Sequence, residues 1–352
     1  MTRSMNEINW DQYPILAQHH YGRAWLQIQA DLQLAPNTIA TYGRGLEDYL
    51  TFCVNQQIDP VTATRGHIAA YVRDLTHRTN PQAAKVRRLD SGAGLANATM
   101  QQRVTIVRLF YDYLCEEGMR PDNPVGRGRY TPGKGFAGAR DRALIPHFRA
   151  LPWIPTDDQW KAILAVTRTE SIRNRVMFAF AYDAGLRREE VCSLTTDDIR
   201  PGQRLVRVQA ETTKNKRERL IPYSLATNDL YTHYLHHRRS LSRERGPLFL
   251  SESRRNRAQA LSIWTWSKVV TSIAERAHTP YFTTHTLRHL CLTDLARAGW
   301  DIHEIATFAG HQSTHTTLLY IHLSGRDLTA AFERSMESIH AWRVAQLAEA
   351  FG

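Results

Sequence analysis

The residues best able to do chemistry lie in a few short runs. Between Thr284 and His322, His285 and Arg288 stand three apart, so a helix there puts both on one face. His311 follows Gly310, and Tyr320 comes nine residues after that histidine. Upstream, Arg187 lies in AGLRREE just after a glycine that ends a predicted helix, and Lys214 lies in ETTKNKRE at the tip of a predicted hairpin. Arginine and lysine neutralise oxyanions, histidine moves protons near neutral pH, and a tyrosine phenol is a latent nucleophile. Each residue also has a plainer reading. His285 and His289 have the spacing of a metal pair, but no third ligand of suitable spacing stands out. A lone histidine is often hydrogen-bonded core, and Arg187 with Arg188 and Glu190 could form a surface ion-pair patch. Tyr320 between Leu319 and Ile321 could simply pack, and Lys214 and Lys216 could be ordinary turn residues.

The whole chain narrows the class of partner. It has 352 residues, with 45 Lys+Arg against 34 Asp+Glu and a formal net charge of +11. Only six of those basic residues are lysines, so the excess is carried by arginine, whose fork binds phosphate with paired donors. Charge alone fits nucleic acid, acidic lipid or acidic protein. A hydrophobic fraction of 42% excludes a mostly disordered chain, and no apolar run approaches the roughly 20 residues that span a bilayer. Met1 to Trp10 lacks an apolar signal core, which argues against secretion. Cys53, Cys115, Cys192 and Cys291 form no C-x-x-C pair and read as reduced, mostly buried thiols. The expected location is therefore cytoplasmic, with nucleoid association if the source is bacterial.

The elements that must position these residues fall into two domains. The first, 1–125, reads as all helical. A weaker helix runs from about Ile15 to Leu32, and a stronger one begins at Pro36 with Ile39, Tyr42, Leu46, Tyr49, Leu50 and Cys53 on one face. Thr64 caps a third carrying Ile68, Tyr71, Val72 and Leu75; a fourth spans about Ala98–Glu117 with a stripe from Met100 to Leu114. Residues 126–155, rich in Gly, Pro and Arg, read as a basic linker: either a solvated connector or a strap along a phosphate backbone. In 156–325, Thr156-Asp157-Asp158-Gln159 opens a helix to Val166, and a second runs from Ser171 to Ala184, stopped by Gly185. Strands at Arg204–Gln209 and Arg219–Ile221 make the hairpin. Helices follow at about Leu225–Leu241, Trp264–Ala277, Thr284–Ala298, His303–Phe308 and Thr314–Tyr320. Residues 326–352 form a final amphipathic helix, Leu328–Phe351, which either packs on its own domain or docks on a neighbour. The fold class is mainly α with a small β-hairpin or sheet.

Taken together and in order, these motifs resemble the tyrosine recombinase (phage integrase) family. Gly185-Leu186-Arg187-x-x-Glu190 with the later Asp197-Asp198-Ile199 looks like its first-arginine motif. Lys214 stands eight residues before Pro222, His285-Thr286-Leu287-Arg288-His289 matches the His-x-Leu-Arg-His motif, and Gly310-His311 followed by Tyr320 fits the nucleophile segment. The match covers roughly residues 150–325; before that it rests on helix content and layout. The resemblance implies a two-domain, C-shaped DNA clamp and a catalytic set of Arg187, Lys214, His285, Arg288, His311 and Tyr320. It implies a 3′-phosphotyrosine intermediate formed by Tyr320, with His285 as base and Arg187 and Arg288 clamping the phosphate. Lys214, or failing it Lys216, would protonate the leaving 5′-oxygen, and His311 would hydrogen-bond the phosphate. No metal, nucleotide or other cofactor is implied. The partners implied are double-stranded DNA, further copies of the chain in a DNA-bound tetramer, and accessory DNA-bending or directionality proteins, with no membrane. Candidate DNA contacts are Arg44, Arg87, Arg88, Arg103 and Arg108 in the first domain, and Arg254, Arg255, Arg257 and Lys268 in the second. The competing readings are a type IB topoisomerase or telomere resolvase with the same chemistry, and an architectural DNA-binding protein that does not cut.

Overall fold

The computed structural model describes residues 7–78, 95–126, 144–145, 151–213 and 217–323, with 343 and 345. Arg87, Arg88, Lys214, Lys216, most of the basic linker and the expected C-terminal helix lie outside the described residues. The chain divides into two compact units, residues 1–150 and 151–352.

In the first unit, α1 (Pro14–Gln18) and α2 (His20–Asp31) replace the single helix expected over 15–32. The break is at His19, whose backbone leaves the helical region and whose Nδ1 accepts the Gly22 N–H at 3.0 Å, starting a new helix. Pro36 opens α3 (Pro36–Asn55) with its φ preset and no N–H to satisfy. Thr64 caps α4 (Arg65–His77): its hydroxyl accepts the His67 N–H while its own N–H reaches His67 Nδ1. With α5 (Asn97–Glu116), these helices bury Leu16, Trp25, Leu46, Tyr49, Tyr71, Phe110 and Tyr111 in one core. Ile145 is buried in the same core with Leu144 beside it, so that part of the stretch expected to be linker is an anchor. At the other side of the boundary, Trp153 packs on the second unit's core and meets the Tyr281 ring.

The second unit opens with α6 (Asp157–Thr167), held by the capping box between Thr156 and Gln159. Behind it lies α7 (Ile172–Asp183), in which Val176, Met177, Phe178, Phe180 and Ala181 are all buried. A helix that is apolar nearly all round belongs in the middle of its unit, and α7 packs against α6, α9 (Leu225–Arg239) and α11 (Thr284–Arg297). A short helix the sequence pattern did not reveal, α8 (Arg188–Ser193), follows.

The sheet has three antiparallel strands, one more than the expected hairpin: β1 (Ile199–Arg200), β2 (Leu205–Val208) and β3 (Arg219–Pro222), in that order. The added strand is only two residues long, too short for a periodic signal. It is tied on by Asp198, which is buried and accepts from Thr195, Arg207 and Gln209. Val206, Val208 and Ile221 point into the core, with Val206 directly opposite Ile221. The remaining helices are α10 (Ile263–Arg276), α12 (Ile302–Ala309) and α13 (Thr314–Leu323). Among the described residues no helix is long and apolar enough to cross a membrane.

Candidate active site

The site forms where the ends of α7 and α12 meet the middle of α11. Arg288 of α11 is 2% exposed, a costly place for a guanidinium. Its cost is offset by two helix C-termini: Nη1 donates to the Gly185 carbonyl and Nη2 to the Ala309 carbonyl, each at 2.6 Å. Those carbonyls belong to helix ends that lack intrahelical partners and carry partial negative charge. Burial, then the neighbouring Arg187, lowers the Arg288 guanidinium to about 10, so it is still a cation at neutral pH.

The same Nη2 lies 3.0 Å from His311 Nε2. Because arginine only donates, His311 must accept at Nε2, which places its proton on Nδ1, 2.9 Å from the buried Thr317 hydroxyl. Burial first, and then Arg288 and Arg187, pushes the His311 imidazole down to about 3, so this neutral tautomer prevails. Gly310, at φ +65°, closes α12 and turns the chain into His311. A Cβ there would come within 3.1 Å of Arg219, a residue the sequence reading did not single out.

Arg187 precedes α8, so the first turn of that helix carries Glu190 back beneath it. The Arg187 N–H donates to Glu190 Oε2 at 2.9 Å and Nη1 to Oε1 at 2.8 Å. From β3, Arg219 donates to both oxygens of the same carboxylate, at 3.1 and 2.7 Å. Glu190 is 1% exposed; burial alone would raise its carboxyl, yet Arg219 and Arg187 hold it down at about 2. The surface ion-pair reading of this segment fits Arg188 instead, which pairs with Glu189 and donates to Ser267.

Tyr320 reaches this cluster from α13. Its ring is 3% exposed, parallel to His311 with centroids 6.0 Å apart, and packed with Leu292, Ala296, Ile305 and Ala309. Burial raises its phenol, while Arg288 and Arg187 pull it back. Its hydroxyl lies 3.0 Å from Nδ1 of His289. Here the site departs from expectation: the histidine against the phenol is His289, while His285 is exposed one turn earlier, its ring edge-on to His289 at 5.2 Å. No group of three His, Cys, Asp or Glu that could hold a metal ion occurs among the described residues.

Lys214 lies outside the described residues; of those flanking it, Thr213 Oγ1 accepts the Arg217 N–H. Among the DNA-contact candidates, Arg44, Arg108, Arg254, Arg255, Arg257 and Lys268 are exposed. Arg103 differs from them: it pairs with Asp48 of α3 and is only a quarter exposed. The sequence reading missed Glu190's buried role, Arg219 and His289. The signals were the i,i+3 spacing of Arg187 and Glu190, the strand parity of Arg219, and the last histidine of His-x-Leu-Arg-His.

A buried cation on two helix ends, a neutral histidine beside it and a phenol within reach thus lie together at one site. Comparison with known proteins gives the family. Residues 155–326 match the model of the phage integrase family. Tyrosine recombinase XerC of Corynebacterium efficiens is 26% identical over 291 residues, spanning 82% of this chain and 88% of its own length. XerC of Mycobacterium tuberculosis is 29% identical over 256 residues, spanning 70% and 79%. Two solved structures share the fold. XerH recombinase on a palindromic difH substrate, in a post-cleavage complex, has a TM-score of 0.64 at 16% identity and covers 86% of this chain and 81% of its own. A lambda integrase dimer on a COC′ core site has a TM-score of 0.61 at 16% identity, covering 86% and 94%. Residues 155–326 are thus a domain of the phage integrase family, the tyrosine recombinases. The chain is a site-specific recombinase, an enzyme that breaks and rejoins DNA strands, and the topoisomerase and non-cutting readings are set aside.

Proposed function

We propose that Tyr320 is the nucleophile and that Arg187, Arg288 and His311 stabilise the phosphate it attacks. The phenol oxygen attacks the scissile phosphorus in line with the 5′-oxygen, which leaves as the 3′-phosphotyrosine forms. Negative charge grows on the non-bridging oxygens, where fixed guanidinium donors stabilise it most. His311, neutral, acts through Arg288, accepting from its guanidinium at Nε2 and so holding it toward the phosphate. Lys214 protonates the departing 5′-oxygen, a role supported by its register eight residues before Pro222. Attack by the 5′-hydroxyl of another duplex reverses the steps and completes exchange without an external energy source. The observation that carries this reading is the convergence of Arg288, His311 and Tyr320, from three separate elements, with Arg187 held beside them by Glu190.

DNA is gripped by exposed cations on both units, Arg44 and Arg108 in the first and Arg254, Arg255, Arg257 and Lys268 in the second. The XerH and lambda integrase structures are bound to DNA, and the latter is a dimer on its site. By analogy the active assembly here is a tetramer on two paired sites, helped by accessory DNA-bending or directionality proteins and acting in the cytoplasm.

The test uses a duplex selected from random-sequence DNA by binding to the full chain, then nicked near the cleavage point so that the short 5′-hydroxyl strand diffuses away. Wild-type protein is expected to form a detergent-resistant adduct, and the Tyr320→Phe variant none. An adduct that survives in that variant would move the nucleophile elsewhere.

A further inference from the structure

We infer that Arg219 is a positioning residue of the recombination reaction: from β3 it sets both Arg187, through Glu190, and His311, through the Gly310 turn. This inference rests on Arg187 and Tyr320 acting on the scissile phosphate. Strand alternation puts Arg219 on the same face as the buried Ile221, and directly opposite the buried Val208. Its side chain is only 11% exposed. Its Nε is buried with no hydrogen-bond partner among the described residues. Keeping a guanidinium on a core face with one donor unpaired costs free energy, which singles out the contacts it does make.

The first contact is with Glu190. Arg219 donates from Nη1 to Oε1 at 3.1 Å and from Nη2 to Oε2 at 2.7 Å. Arg187 adds its N–H to Oε2 at 2.9 Å and its Nη1 to Oε1 at 2.8 Å. These donors fill a carboxylate that offers about four lone-pair sites, so its plane is fixed from both sides. Charge points the same way. Burial opposes ionisation of Glu190, and Arg219 does more than Arg187 to overcome it. With Glu190 answered by Arg219, the charge of Arg187 is left for the phosphate. Without Arg219 the carboxylate would turn wholly to Arg187, drawing its guanidinium down and cancelling it.

The second contact is with Gly310. A Cβ there would come within 3.1 Å of Arg219 Cδ and Nη1 and 3.2 Å of Cζ, so the side chain packs against the backbone where α12 ends. That turn, at φ +65°, leads directly into His311, whose Nε2 accepts from Arg288 at 3.0 Å. Arg219 therefore stands behind both guanidiniums that receive the phosphate. It supports Arg187 by way of Glu190, and Arg288 by way of Gly310 and His311, and it acts through those residues rather than on the reacting atoms.

The test measures single-turnover adduct formation on the same nicked duplex by Arg219→Met and Arg219→Lys, each in the wild-type chain and in Arg187→Ala. Arg219→Met removes the fork, and is expected to slow the adduct by about 10²-fold, the scale of a misplaced binding group. DNA affinity is expected to stay within about threefold, since the interaction lost is realised in the transition state. Arg219→Lys restores the charge facing Glu190 but not the fork, and is expected to recover about tenfold of that loss. In Arg187→Ala the methionine is expected to cost less than about tenfold and the lysine less than about twofold, because residues acting through one another are not additive. A purely structural tie between β3 and α8 would slow both backgrounds equally. Equal losses in the two backgrounds, no loss in Arg219→Met, or a lysine no better than the methionine would overturn the inference and leave Arg187 in its role. Urea unfolding shows whether each variant is folded. If Arg219→Met is not, the lysine pair decides alone, with a loss of about tenfold expected in the wild-type chain and less than about twofold in Arg187→Ala. An Arg187→Ala chain as fast as wild type would instead remove Arg187 from the reaction, and this inference with it.

Discussion

Each unit contains a carboxylate gripped by two arginines, and the two clusters serve opposite ends. In the first unit Asp48 accepts from Arg78, Arg103 and the Tyr71 hydroxyl, and Arg78 also pairs with Asp74. Two cations meet two carboxylates, and the charges close on themselves. In the second unit Glu190 holds Arg187 and Arg219, with Arg288 nearby and bound to two carbonyls, a neutral histidine and the Tyr320 phenol. Three cations there face one carboxylate. The first arrangement locks helices α3, α4 and α5 together. The second leaves positive charge for a phosphate to neutralise, and uses the carboxylate to aim Arg187 rather than to cancel it.

Changes to the surplus cations are expected to hurt chemistry most. Arg288→Lys retains charge but loses the fork that spans two helix ends, so the adduct rate is expected to fall by about 10²–10³-fold. Single-turnover kinetics on the nicked duplex checks this, and a change below threefold would break the comparison. Glu190→Gln tests the carboxylate itself. The Glu190 pKa is depressed from 4.5 to about 2 in the folded protein, so its stabilisation is complete above pH 4.5 and is lost as pH falls towards 2. That contribution amounts to about 3 kcal/mol. Urea unfolding followed through this range is expected to show a shallower acid decline in Glu190→Gln, with the adduct rate lowered as Arg187 loses its support.

In the first unit, Asp48→Asn is expected to cost about 1–3 kcal/mol in stability by leaving Arg78 and Arg103 short of a counter-charge. The adduct rate at moderate temperature should be unchanged, because that cluster takes no part in the chemistry. The smallest effect is expected at the exposed loop. Arg255→Ala should reduce the slope of log affinity against log salt by about 0.9 if the side chain neutralises one phosphate. An unchanged slope would remove Arg255 from the DNA interface.

How much of this was legible in the sequence depends on the range of the interaction. Helices with caps and stripes were plain: Thr64, Thr156 and Ser171 start helices where local chemistry says they should. The break at His19, the two-residue β1 and the six-residue α8 were not, because each is set by one side chain or by a strand from elsewhere. The reactive set was legible as a series of motifs, since residue type and order are stored locally. Its wiring was not. Arg103 looked like a free surface cation until the fold brought Asp48 from another helix, and Arg219 looked like an ordinary strand residue until β3 placed it on Glu190. His285 and His289 sit one turn apart on α11, so spacing alone could not say which of them meets a tyrosine arriving from α13.

The central claim is that the surplus cations and Tyr320 act on one phosphate to give a 3′-linked adduct. Its most direct measurement is proteolysis of the trapped complex, with mass spectrometry of the nucleotide-bearing peptide and kinase labelling of the released strand. The account requires the nucleotide on Tyr320 and a released strand that accepts label directly at a 5′-hydroxyl. A nucleotide on any other residue, or a released strand that needs phosphatase treatment before labelling, would contradict it.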